Sequence, residues 1–316
     1  MFFDLFNGDA DGIFALHQHR LSFPAISTLI TGVKRDICLL QQLAGTKDAE
    51  ITVFDVSLDS NRRGIAPLLA QGNCIRWFDH HFAGKIPVHP RLHTIINPSP
   101  TTCTSLIVNT VLGGSHPGWA ICGAYGDNLQ EPADRLAGKI GLSAKEMSQL
   151  AELGKLFNYN GYGVTTADLH FHPKKLYLAI APFADPLAFI AQSKELAVLR
   201  DGCAEDLQCA AEGEQQKIGH HSLYFFPDAP WARRISGIYS NLKARQEPDA
   251  AHVIITRVGD NLRLSVRAPL NDSQRADTLC RAFPTGGGRA GAAGINELPP
   301  EELSHFIDTF SKTWPS

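Results

Sequence analysis

Cysteine pairs are missing from this sequence. The seven cysteines, at 38, 74, 103, 122, 203, 209 and 280, are odd in number and form no CxxC, so free thiols in a reducing cytoplasm are expected. A basic excess is missing too. There are 29 Lys+Arg against 32 Asp+Glu, a formal net charge of -3, which speaks against a protein wrapped by long nucleic acid while leaving room for a local basic pocket. No apolar run approaches the ~20 residues of a membrane span. The start, MFFDLFNGDADG, has no basic n-region, so a signal peptide is not expected and a cytoplasmic, membrane-free protein is. Internal repeats and low-complexity tracts are also absent. What is present is 44% hydrophobic content over 316 residues with 19% charged residues. That excludes general disorder and is enough for two domains.

The first half alternates short apolar runs with helical spacing. Residues 2–6, 25–31, 51–55 and 74–79 read as strands, and 13–21, 37–43 and 64–71 as helical. Such alternation predicts a parallel sheet with helices on both faces, with ligands bound beyond the carboxyl ends of the strands. Those ends carry Asp9, Asp11, Asp55, Asp79 and His80. From 105 to about 157 the pattern is mostly helical, and 194–217, rich in Ala, Glu, Gln, Lys and Leu, reads as one long helix. Strands are then expected at 223–226, 252–257 and 262–267, with a hairpin turn at Gly259-Asp260-Asn261 and helices over 273–283 and 300–313. The expected layout is α/β: an N-terminal parallel-sheet domain over 1–190, a linker helix over 191–217 and a smaller C-terminal α/β domain over 218–316.

Four acidic clusters bear on chemistry. In Asn7-Gly8-Asp9-Ala10-Asp11-Gly12 two carboxylates one residue apart follow a strand, and the flanking glycines permit a tight turn. Hard divalent cations take oxygen ligands of this kind, although a polar turn with a helix cap has the same composition. Asp55 ends the apolar run ITVFD, where an acid is often only a cap. Asp79-His80-His81 is a rarer grouping, able to supply a metal ligand and a neighbour that supports it or touches substrate. Asp127, in Ala124-Tyr125-Gly126-Asp127-Asn128, says nothing alone. Together, Asp9, Asp11, Asp55, His80 and Asp127 form the kind of set that two adjacent cations with a bridging carboxylate need.

The order DxD, D, DHH, D resembles the DHH phosphoesterase superfamily, which includes RecJ-type exonucleases, oligoribonucleases, manganese pyrophosphatases and exopolyphosphatases. Thr285-Gly286-Gly287-Gly288-Arg289-Ala290-Gly291 resembles the glycine-rich loop of the DHH-associated C-terminal domain, and Arg267 in Ser265-Val266-Arg267 matches its strand arginine. The resemblance covers nearly the whole chain. It implies a two-metal phosphohydrolase that uses Mn2+, with Mg2+ or Co2+ as alternatives. Asp9, Asp11, Asp55, His80 and Asp127 are the implied metal ligands. Asp55, as the shared ligand, and His81, at the scissile phosphate, are the implied catalytic residues. Gly286, Gly287, Gly288, Arg289, Arg267 and Ser105, with Thr104 beside it, are the implied substrate contacts.

Physics supports the second element as well: exposed backbone N–H groups approach phosphate oxygens, and arginine clamps them. The chain departs from the family pattern at three places. Leu5 stands where many relatives carry a metal-binding histidine, Asn7 where RecJ-type proteins carry an acid, and Arg289 where the glycine loop has histidine. The arginine tilts the expected substrate towards polyphosphate, with short oligonucleotides or nucleoside bisphosphates as the alternative and a catalytically weak phosphate or nucleotide sensor as a third reading. A homodimer is compatible with all three. His220-His221, Cys103 and Cys122 are expected to be structural, with the cysteines acting as small buried hydrophobes.

Overall fold

The apolar run after Met1 forms β1 (Phe2–Phe6), and Asp9 opens α1 (Ala10–Ser22). The chain then adds β2 (Thr28–Ile30), β3 (Glu50–Phe54), α2 (Leu58–Ala70), β4 (Cys74–Asp79) and β5 (Leu92–Ile96). All five strands are parallel, in the order β2-β1-β3-β4-β5. The strand order reverses between β1 and β3, and the crevice beyond their carboxyl ends is where such sheets bind ligands. Under the sheet, Leu5, Ile51, Val53, Ile75 and Trp77 build a core that is completed by Leu58, Ile65 and Leu68 of α2. Helix α1 is buried along most of its length and lacks a polar stripe because it lies inside a helical shell. Packed against it are α3 (Thr104–Val111), α4 (Pro117–Gly126), α6 (Ala144–Asn160) and α7 (Pro173–Ile180). Outside these, α5 (Gln130–Lys139) lies on α4 and α8 (Pro186–Gln192) on α6.

The computed structural model describes residues 1–315, and the chain forms two units, 1–201 and 202–316. The division falls within α9 (Lys194–Ala211). In the second unit, β6 (Glu214–Ile218), β7 (His221–Phe226), β8 (His252–Val258), β9 (Asn261–Arg267), β10 (Gly286–Arg289) and β11 (Ala292–Leu298) form a mixed sheet ordered β10-β11-β9-β8-β7-β6. Only β7 and β8 pair in parallel. Along β9, Leu262, Leu264 and Val266 turn inwards and alternate with Asn261, Arg263, Ser265 and Arg267. The inward side meets α11 (Ala276–Arg281) and α12 (Leu303–Thr313) through Leu279, Phe306 and Phe310. The other side of β8 and β9 carries α10 (Pro230–Gln246). Among the described residues, no helix is long and apolar enough to cross a membrane.

Two expectations need correction. The helix expected over 194–217 stops at Ala211, and Glu214–Ile218 forms β6, which turns through Gly219 (φ 57°) to pair with β7. Its Glu-Gln-Gln-Lys composition suits a helix, but pairing as a solvent-exposed edge strand prevails over that preference. The glycine run is likewise the edge strand β10 and no open loop.

Candidate metal and phosphate site

The three central strands deliver their first polar residues to one place. After β1 the chain turns through Asn7 and Gly8, and a Cβ on Gly8 would overlap the Gly32 carbonyl oxygen, so only glycine permits this close approach. Asp9 is the N-cap of α1, and its Oδ1 accepts from Gly12 N over 3.1 Å. The cap reading and the ligand reading therefore coexist, because one carboxylate has oxygens for both. After β3, Asp55 sits in the left-handed region at φ 57°, and its N–H donates to Phe78 O at 3.0 Å. That conformation is uncommon for a residue with a side chain, and it turns the carboxylate towards Asp9 and Asp11.

Asp11 is fixed by a different helix. Its Oδ2 accepts from Thr104 N at 2.7 Å and its Oδ1 from Ser105 N at 2.8 Å, so the α3 N-terminus holds the carboxylate. The Ser105 hydroxyl donates to Asp11 O at 2.9 Å, and Ser105 is fully buried. Its expected role in binding substrate is therefore corrected: its N–H and hydroxyl both position Asp11. Thr104, also fully buried, donates its hydroxyl to Asp55 Oδ1 at 3.0 Å.

His80 Nε2 lies 3.4 Å from Asp55 Oδ1 and 3.8 Å from Asp127 Oδ2. The histidine thus faces the Asp55–Asp127 side of the cluster. Asp127 closes α4 as its C-cap. The Asp79 of the same triplet is buried, and its Oδ1 accepts from His80 N at 2.8 Å and takes the His81 Nδ1 hydrogen bond at 2.7 Å. That contact orients the His81 ring and directs Nε2 away from Asp79.

The electrostatics are those of crowded acids. Burial pushes the Asp55 carboxyl well above the ordinary range, and the charges of Asp11 and Asp9 push it further. Asp127 is pushed up to about 6 by burial, with Lys34 pulling it down and Asp11 pushing it up. Burial opposes protonation of His80, yet its hydrogen bond to Asp55 and the surrounding carboxylates carry it to about 10. In His81, too, burial is outweighed, chiefly by the Asp79 hydrogen bond, and its pKa rises.

A cluster of this kind invites positive charge. Asp55, His80 and His81 each offer a ligand atom, all within 4.8 Å of one another. With Asp127 and Asp11 beside them, the donors are carboxylate oxygens and imidazole nitrogens, which suit manganese-like or magnesium-like divalent ions. The residues therefore fit a metal centre.

Two further residues, one in the cluster and one next to His81 in the chain, have no place in the sequence reading. Lys34, beyond β2, places Nζ 2.6 Å from Asp9 Oδ2 and 2.9 Å from Asn158 Oδ1. Burial works against its charge, but Asp9 above all, then Tyr162 and Asp127, raise its pKa well above the usual lysine value. Phe82 follows His81 directly and is 76% exposed. A lone phenylalanine after a histidine pair carries no periodic signal, and Lys34 reaches Asp9 only through the fold, 25 residues along the chain.

In the second unit the expected phosphate-binding residues form a strip of sheet. Ala292 of β11 lies opposite Arg289 on β10 and opposite Arg267 on β9. Residues opposed in antiparallel strands share a face, so the two arginines flank a small residue, with backbones about 10 Å apart from two strand spacings. Two steps along, Gly287 opposes Gly294, and a Cβ on Gly287 would meet nothing within 4 Å. Gly286 and Gly288 differ: a Cβ there would strike the Cys280 carbonyl and Ala293. Arg267 is itself oriented, with Nε donating to Asn241 Oδ1 at 2.8 Å and a terminal nitrogen to Val266 O at 3.0 Å.

No family model and no curated protein matches the sequence. Solved structures do match its fold. The DHH domain of a protein described as a member of a ribosomal-protein family superposes with a TM-score of 0.63 at 13% identity, over 98% of this chain and 85% of that one. The chain shares the fold of this DHH domain. A manganese-bound exonuclease RecJ gives a TM-score of 0.61 at 14% identity, over 100% of this chain and 90% of its own. PggH, a pGpG-specific phosphodiesterase from Vibrio cholerae, gives 0.58 at 16% identity, over 98% of both chains. The α/β class expected from the strand–helix alternation is what these DHH-type structures share.

Proposed function

We propose that the protein is a divalent-metal-dependent phosphoesterase that hydrolyses a short phosphate-linked substrate. The convergence of Asp9, Asp11, Asp55 and His80, from the carboxyl ends of β1, β3 and β4, with Asp127 from the end of α4 carries this reading. A divalent cation at such a centre polarises phosphoryl oxygens and lowers the pKa of water at neutral pH. The protein's own part is to fix the donors: α3 holds Asp11, Thr104 holds Asp55, and Asp79 orients His81. His81, with Nδ1 engaged, presents Nε2 to the phosphate or its leaving oxygen as a hydrogen-bond donor. Manganese is the proposed ion, with magnesium or cobalt as alternatives. The free cysteines fit a reducing, cytoplasmic setting.

For the substrate, we assign first place to a short oligonucleotide such as a dinucleotide. Phe82 is the observation that favours it, because an exposed ring that follows His81 directly in the chain offers a stacking face for a base, worth about 1–3 kcal/mol. PggH, a dinucleotide enzyme by its description, has the same layout from end to end. The second reading is polyphosphate, favoured by the strip that carries Arg267 and Arg289, where two permanent charges flank exposed backbone.

The experiment is a panel of pGpG and other dinucleotides, polyphosphates of several lengths, nucleoside bisphosphates and pyrophosphate, each with manganese and with chelator. Rapid chelator-sensitive cleavage of dinucleotides is expected. Polyphosphate cleavage alone would reverse the order of the two readings. No hydrolysis of any member would leave the phosphate or nucleotide sensor in place of the enzyme.

A further inference from the structure

We infer that this centre holds one divalent cation, and that the Lys34 ammonium is its second, built-in positive charge. The inference rests on the metal reading above and departs from the two ions that the sequence resemblance implies. The first support is the division of the acidic cluster. His80 stands between Asp55 and Asp127, and the only group of metal-compatible donors among the described residues that meet within 4.8 Å is Asp55, His80 and His81. Asp9 is not one of its members, although its side chain also meets Asp55. Its Oδ1 is occupied by Gly12 N and its Oδ2 by the lysine ammonium at 2.6 Å.

The second support is that Lys34 is seated from several directions. Its N–H donates to Gly161 O at 2.8 Å, and its carbonyl accepts from Asn7 Nδ2 at 3.3 Å. Its Nζ binds Asn158 Oδ1 at 2.9 Å and lies 5.5 Å from the centre of the Tyr162 ring. The loop ahead of it is fixed by Asp36, whose Oδ2 accepts from Val33 N at 2.9 Å, and presses Gly32 against Gly8. Carboxylate, amide oxygen and aromatic face together make a cation seat with a lysine built into it.

The third support is what surrounds Asp9. Asn7 brings a neutral amide whose nitrogen is spent on the Lys34 carbonyl. An ion seated on Asp9 would have to share Oδ2 with an ammonium, with the Asp55 carboxylate beside it. Lys34 therefore stands where a second ion would bind, and removing its ammonium would free Asp9 Oδ2 for one. Lys34 would meet a phosphoryl oxygen as a point charge, with three donors and no requirement for metal.

The test is metal stoichiometry on the full-length protein. Purified wild type, equilibrated with Mn2+ and desalted, is assayed by elemental analysis and by electron paramagnetic resonance. One ion per chain with the six-line signal of an isolated Mn2+ is expected. Lys34→Met should gain a second, spin-coupled ion, and Lys34→Arg should stay at one. Two coupled ions in the wild type would overturn the inference while leaving the metal reading intact. A folded Lys34→Met that still holds one ion would overturn the role of the lysine. No bound manganese in the wild type would remove the metal reading and this inference with it. Should Lys34→Met not fold, the wild-type and Lys34→Arg counts decide.

Discussion

The Thr104 hydroxyl donates to Asp55 Oδ1 at 3.0 Å, although the two residues lie 49 positions apart in the chain. Thr104 begins α3, the same helix that holds Asp11, so one helix start sets the direction of two carboxylates. Thr104→Val keeps the shape and removes the donor. Losing a hydrogen bond to a charged group costs about 1.5–3 kcal/mol. The expected result is a fall of tenfold or more in kcat with little change in KM, restored by Thr104→Ser. Steady-state kinetics on the three proteins decide it. Unchanged kcat in Thr104→Val would remove the positioning role.

Asp55→Asn keeps size and tolerates the left-handed backbone at φ 57°. It also removes one charge from a buried group that Asp11 and Asp9 already disfavour. Activity should drop by at least two orders of magnitude, while the melting temperature of metal-free protein rises by a few degrees. Cys103→Ala, at the N-cap of α3, removes a thiol contact with Asp11 that two backbone N–H groups of α3 also hold, and should keep activity within a few-fold. Thermal melts with chelator and activity with excess manganese measure both.

Substrate choice separates Phe82 from Arg289. Phe82→Ala should raise KM for a dinucleotide by roughly tenfold, the effect of about 1.4 kcal/mol of lost stacking, and leave polyphosphate unaffected. Arg289→His should raise KM for polyphosphate more than for the dinucleotide. Equal effects of either change on both substrates would mean that the residue senses only the phosphate they share.

Acid stability depends on two histidines remote from the metal ligands. Burial pulls His17 and His19 down to about 4 from an ordinary value of 6.5. Above 6.5 both are neutral whether the chain is folded or not, and their contribution to stability is complete. As pH falls from 6.5 towards 4, the unfolded chain takes up protons that the fold refuses, so stability is lost, on the order of 3 kcal/mol for each group at the limit. Urea unfolding at pH 7.5 and 5 should show the loss, and His19→Leu should remove a large part of it. His19 sits among the rings of Phe23, Phe54 and Phe78, where leucine fits the surroundings.

What the sequence discloses follows from side-chain pattern. β1, β3 and β4 are apolar runs that end in polar residues, and their boundaries lie within a residue or two of those expected. β5 escapes such a reading because, at the sheet edge, its residues alternate between buried and exposed and make no apolar run. β10 reads as a loop because glycine has no side chain to alternate, and only pairing with β11 makes it a strand. Of the five proposed metal ligands, Asp9, Asp11, Asp55 and His80 are legible as types at strand ends and Asp127, at the end of α4, is not, and their grouping is not legible either. His80 faces Asp127, and Asp9 faces a lysine that no local pattern marks. Ser105 reads as a substrate contact only through the family resemblance, and its burial against Asp11 is a fact of packing.

Asp55 combines a backbone conformation that side chains disfavour with a carboxylate crowded by two others. On the metal reading, the first unit is then least stable when no ion is bound, and ion binding adds RT ln(1 + [L]/Kd) to its stability. Manganese supply would set how long the polypeptide survives as well as how fast it turns over substrate. In a metal-starved cell the unliganded chain opens more often and is exposed to proteases, so scarcity of the ion would lower the amount of protein before any regulator acts on its synthesis.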